Sequence, residues 1–149
     1  MRRLDPPPIP QLAVPIAVVI QAYTAAYCTT TTNRIRAIAD LIIIAFYFLL
    51  RVGEYTRPRQ VRVNGKLQRA TRTQQFQVKN VGFFKDGKVL PHTVPPEELL
   101  QADSVTMRIT NQKNGRMGQT IHHKAVSLPH CPVKALARRV IHILDNGGT

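Results

Sequence analysis

The stretch IADLIIIAFYFLLRVGEYTRPR, Ile38 to Arg59, decides how the rest of the chain is read. Ten consecutive apolar residues, Leu41 to Leu50, leave no polar face, so a helix here must be covered by protein on all sides. A membrane span is the other home for such a helix, but crossing a bilayer takes roughly 18 apolar residues. Arg36, Asp40 and Arg51 bracket this run too closely for that. After Arg51 come Gly53 and Glu54, then Arg57, Arg59 and Arg62, so the core helix is expected to deliver an arginine to a basic surface.

The 149 residues are one domain's worth of chain, and 44% hydrophobic content is enough for a packed core. Twenty-one Lys and Arg against 8 Asp and Glu give a net charge of +13, which points to a polyanion, with nucleic acid first. An anionic membrane would attract the same charge, but that reading wants the bases on an amphipathic helix beside Trp or Phe. Instead, Tyr55 to Asn80 holds seven basic residues and no acid (Arg57, Arg59, Arg62, Lys66, Arg69, Arg72 and Lys79), and its plain alternative is a solvated loop. Aromatic residues make up 6%, which gives little support to stacking on single strands or RNA. Cys28 and Cys131 are too few for a disulfide framework and fit a reducing compartment. Met1-Arg2-Arg3 leads into Asp5 and prolines rather than an apolar segment, so no signal peptide is expected. The expected location is intracellular, and nuclear in a eukaryotic host.

Four prolines within residues 4–10 favour an extended strap. A first helix is predicted from about Pro15 to Tyr27, and Asn33 is placed to cap the central helix. Gln74 to Phe84 alternates, then changes parity near Asn80, as a strand with an irregularity does. Lys85 to Lys88 reads as a turn and Val89 to Pro96 as a loop, with a short helical turn from Pro95 through Gln101. Val105, Met107 and Ile109 alternate with polar residues, and Gln119 to Val126 forms a second strand beyond Asn114-Gly115, a pair suited to a tight hairpin. Lys113 and Arg116 therefore sit at a hairpin tip. Pro132 opens a closing helix in which Val133, Leu136, Ala137, Val140, Ile141 and Leu144 recur at helical spacing.

Arg51 and Lys113 have a common role available. A guanidinium grips two phosphate oxygens at once, and a lysine ammonium is a compact donor that can release a proton. The plain alternative leaves Arg51 on the last carbonyls of its helix and on Glu54, and Lys113 in solvent.

Leu49-Leu50-Arg51-Val52-Gly53-Glu54-Tyr55 resembles the first-arginine box of the tyrosine recombinase (phage integrase-like) superfamily. Thr110 to Gly115 looks like that family's catalytic-lysine hairpin. With CPVKALARR, Cys131 to Arg139, the three together resemble recombinases carried by eukaryotic mobile elements, over roughly Asn33 to Leu144. The resemblance implies DNA recombination or integration through a covalent 3'-phosphotyrosine, on double-stranded DNA, with no metal or other cofactor and a possible homo-oligomer on the DNA. It implies that Arg51 binds the scissile phosphate, that Lys113 is the general acid for the leaving 5'-hydroxyl, and that Glu54 positions Arg51. Arg57, Arg59, Arg62 and Arg116 are the expected further DNA contacts.

The family's later His-x-x-Arg box and tyrosine nucleophile find no match. His92, His122, His123, His130 and His142 lack an arginine three positions on, and Tyr23, Tyr27, Tyr47 and Tyr55 all precede the hairpin. The expectation is the first part of a catalytic domain, unable alone to complete recombination. A non-catalytic, basic nucleic-acid-binding module is the alternative. His122, His123, His130 and Cys131 are suitable zinc donors, but their spacing matches no familiar zinc module and adjacent strand histidines point to opposite faces. Arg138-Arg139 reads as a solvated helix face, with a phosphate contact as the other use. The fold expected is α+β, with helices around Leu41 to Leu50 and Val133 to Leu144 packed on a small three-stranded antiparallel sheet. Residues 1–32 would be a strap and first helix, and 33–149 the partial catalytic domain.

Overall fold

The computed structural model of the protein describes residues 14–50, 60–69, 76–109 and 118–148. The fold is α+β, as the sequence predicts. Helix α1 (Ile16–Tyr27) starts directly after Pro15, whose ring presets the entry and whose missing N–H would be an orphan there. Helix α2 (Asn33–Tyr47) is capped one residue earlier than expected, because the Thr32 hydroxyl, not Asn33, accepts from the Ile35 N–H at 3.4 Å. The two helices pack against each other.

Helix α2 also ends earlier than its apolar run. Phe48 is the C-cap and Leu49 turns left-handed at φ 53°, while the Leu50 N–H reaches back to the Ala45 carbonyl at 3.0 Å. This is a Schellman-type stop, in which glycine usually fills the left-handed position. A leucine there costs roughly 1–2 kcal/mol. No sequence signal marks the stop, because the apolar run continues through it.

The sheet has four strands rather than three. Its order is β4 (Lys88–Leu90), β3 (Val81–Lys85), β5 (Ser104–Ile109), β6 (Gln119–Lys124), with every pairing antiparallel. The extra strand β4 comes from the segment read as a loop: Asp86 and Gly87 both take positive φ, so the chain reverses tightly enough for Lys88 to pair with Lys85. The irregularity near Asn80 is a 3₁₀ turn, Val78–Asn80, which shifts the parity before β3 begins. A separate hairpin, β1 (Gln60–Val63) with β2 (Lys66–Arg69), turns at Asn64-Gly65, where both residues have positive φ. That Asn-Gly pair was a legible signal.

One face of the sheet is apolar, as alternation requires. Phe83, Val105 and His123 form one cross-strand row, and Val81, Met107 and Ile121 the next. The short helix α3 (Pro96–Leu100) buries Leu99, and α4 (Pro132–Asp145) buries Val133, Leu136, Ala137 and Val140. These join Ile43, Ile44 and Phe48 of the α2 segment and Val19 of α1 in one core. The cover on α2 is one-sided rather than complete, because the sheet and α4 meet the helix on one flank only. Ala39, Asp40, Ile43 and Ile44 are buried, Leu41, Ile42, Ala45, Phe46 and Tyr47 are half-buried, and the first turns, including Ile35 and Ile38, are exposed. No helix among the described residues is long and apolar enough to cross a membrane.

Candidate functional site

Arg51, Glu54, Arg57 and Arg59, and likewise Lys113 and Arg116, lie outside the described residues. Arg62 is on β1, opposite Leu67. What the structure does define is the pair of anchors from which the two motif-bearing segments depart. On one side, Phe48 is fully buried and packs edge-on against the His123 ring with centroids 4.7 Å apart. The His123 Nε2 atom lies 2.8 Å from the Tyr47 carbonyl oxygen, so the end of α2 is fastened to β6. On the other side, Leu50 and Met107 line one cavity of about 150 Å³, together with Val81 and Leu136. Leu50 immediately precedes Arg51, and Met107 is two residues before Ile109, where the described part of the β5–β6 hairpin ends.

The histidines divide as strand geometry demands, with His123 toward the core and His122 exposed. His130 is buried and stacks on Tyr47. Cys131 is buried and accepts from the Val126 N–H through its Sγ at 3.4 Å. Among the described residues no three His, Cys, Asp or Glu side chains come together as a metal site would need.

A different charged cluster emerges that the sequence reading did not assemble. Asp40 is completely buried on α2. Its carboxylate accepts from the Tyr27 hydroxyl at 2.9 Å, and from Arg138 through Nε at 3.0 Å and Nη2 at 2.5 Å. Arg139 Nε also lies 3.3 Å from Asp40 but makes no hydrogen bond, and it is buried. Arg138-Arg139 is therefore not a solvated face. Helical spacing explains the miss: neighbouring residues on α4 diverge by about 100°, yet both long side chains bend back to a single acid on another helix. The available signal was Asp40 itself, an acid embedded in an apolar helix, which requires a partner.

Burial opposes the charge on Arg138, but the hydrogen bonds and charge of Asp40 outweigh it and hold the guanidinium above its ordinary value. Burial, with the Asp40 carboxylate next, pushes the Tyr27 phenol from 10.0 up to about 12. The folded protein thus holds this proton more tightly than the unfolded chain does. Its contribution to stability is complete below pH 10 and is lost as pH rises through about 12. Because the ring is only part-buried, solvent screening keeps the stability effect small. Phenolate absorbance followed against pH should show one of the four tyrosines ionising near 12, and that step should vanish in Tyr27→Phe. Ionisation of Tyr27 at its ordinary value would contradict the burial of this hydroxyl against Asp40.

The apolar anchors fasten the end of α2 to β5 and β6, while the Asp40 cluster, about two turns earlier on α2, ties that helix to α1 and α4. No family model, no curated protein and no solved structure matches this chain.

Proposed function

We propose that this chain is the DNA-binding part of a tyrosine recombinase (integrase-like) catalytic domain. Arg51 and Lys113 grip one phosphate of double-stranded DNA, Glu54 holds Arg51, and Arg57, Arg59, Arg62 and Arg116 contact neighbouring phosphates. The observation that carries the reading is the common cavity of Leu50 and Met107, reinforced by the His123 contacts to Tyr47 and Phe48. It starts the Arg51 segment from the same part of the core as the hairpin strand leading to Lys113. The +13 charge supplies the attraction to the phosphate backbone.

In this reading the protein's contribution is electrostatic. The guanidinium offsets charge that develops on the phosphate oxygens, and the ammonium protonates the leaving oxygen. No side chain of the chain is assigned as nucleophile. Tyr27 is held on Asp40, and Tyr47 lies between His123 and His130.

A binding titration on duplex DNA tests the reading. Arg51→Ala and Lys113→Ala should each weaken binding by roughly tenfold and lower the salt slope by about 1. If the two share one phosphate, the double variant should lose less than the product of the single losses. Multiplicative losses, or none at all, would instead favour a plain basic module whose binding rests on the Tyr55 to Asn80 segment.

A further inference from the structure

We propose that the groove between the N-terminal half of α2 and the C-terminal half of α4 is a phosphate-binding site, with Arg36 and Arg139 as its principal donors and His142 at its edge.

The argument begins with unbalanced charge. Arg138 and Arg139 are mostly withdrawn from water, with side chains 24% and 18% exposed, and both lean on the single carboxylate of Asp40. One carboxylate compensates one guanidinium, and the hydrogen bonds that Asp40 accepts come from Arg138 and the Tyr27 hydroxyl, none from Arg139. Arg139 is left with a buried Nε that has no acceptor, so its charge is only partly compensated within the protein. A third guanidinium stands close by. Arg36, one turn before Asp40, is drawn over the Tyr27 ring at 5.8 Å, and Arg138 lies over the same ring at 4.8 Å. Among the described residues Arg36 has no carboxylate partner.

These groups border an open cavity of about 320 Å³, ample for a phosphate group. The cavity also contains one opposing charge, the exposed Asp145, which forms no ion pair among the described residues. Three guanidiniums against two carboxylates leave a net positive charge at this groove. The planar fork of arginine matches phosphate oxygens in geometry as well as charge. Arg139 lines this groove and also the cavity that holds Leu50 and Met107, so the two sites share a wall. A phosphodiester of bound nucleic acid and free phosphate offer the same oxyanion chemistry here.

The test is thermal melting of the full chain in inorganic phosphate against chloride at equal ionic strength. Phosphate should raise the melting temperature saturably and chloride should not. Arg36→Gln and Arg139→Gln should each weaken the apparent phosphate affinity by about tenfold, and Asp145→Asn should strengthen it roughly threefold. Arg36 is exposed and touches none of the Asp40 hydrogen bonds, so its variant keeps the fold and the comparison stays decisive. Equal melting in both salts, or a phosphate effect unchanged in Arg36→Gln and Arg139→Gln, overturns the site. A duplex oligonucleotide arm identifies the source: weaker DNA binding by Arg36→Gln assigns the groove to a nucleic-acid phosphate, and unchanged binding assigns it to free phosphate. Inorganic phosphate reports on this groove whether or not Arg51 and Lys113 hold DNA, so the two proposals fail separately.

Discussion

Asp40→Asn should destabilise the folded protein by about 3–5 kcal/mol, because it leaves Arg138 and Arg139 withdrawn from water without a counter-charge. The substitution keeps the volume and removes only the charge and acceptor strength, so no cavity accounts for the loss. Urea unfolding followed by circular dichroism measures it as a fall in midpoint at unchanged slope. The reciprocal expectation is sharper. Replacing Asp40 with Leu and both Arg138 and Arg139 with Met together should recover much of the loss, because a buried ionic cluster exchanged for apolar groups is often neutral. A fall below about 1 kcal/mol in Asp40→Asn would mean that the guanidiniums swing out to solvent at little cost, and that the cluster is not a constraint on the packing of α2 against α4.

Phe48→Ala should cost a similar amount, about 3–5 kcal/mol, by opening a cavity where a fully buried ring meets His123 edge-on. The same change loosens the end of α2 from β6, so duplex DNA affinity should fall along with stability if the motif-bearing segments depend on that anchor. The next residue supplies the contrast. Leu49 is 85% exposed and left-handed at φ 53°, so Leu49→Gly removes strain and almost no contact. It should leave the protein equally stable or more stable by up to about 1 kcal/mol, the left-handed penalty relieved being set against the greater freedom of an unfolded glycine. Unfolding midpoints of the two variants, measured side by side, decide whether packing or backbone geometry governs this helix end. A harmless Phe48→Ala would show that the α2 terminus is not held by the sheet.

The elements most legible in the sequence are those whose signal is local and repeated. Val105, Met107 and Ile109 alternate toward the core as their period of two required, and Val133, Leu136, Ala137 and Val140 share the buried face that their helical spacing assigned. Pro15 and Pro132 mark helix starts because their geometry fits only there. The two N-terminal helices and the α+β class likewise follow from residue order, and the excess of positive charge from composition. The strand β4 was hidden by the breakers around it, whereas the hairpin at Asn64-Gly65 carries a local turn signal within a strongly basic segment.

Tertiary structure decided what no local pattern encodes. That Asp40 meets Tyr27, Arg138 and Arg139 depends on α1, α2 and α4 closing around one point, with Asp40 and Arg138 98 positions apart in sequence. That His123 faces Tyr47 and Phe48, rather than a metal or solvent, depends on which row of the sheet lies under the end of α2. Periodicity tells a side chain which way to face, because it is set by the backbone's own geometry. Which partner it finds there is set by the packing of distant elements, and buried charge makes that choice exacting, since a guanidinium or carboxylate without a partner costs far more than a misplaced methyl group.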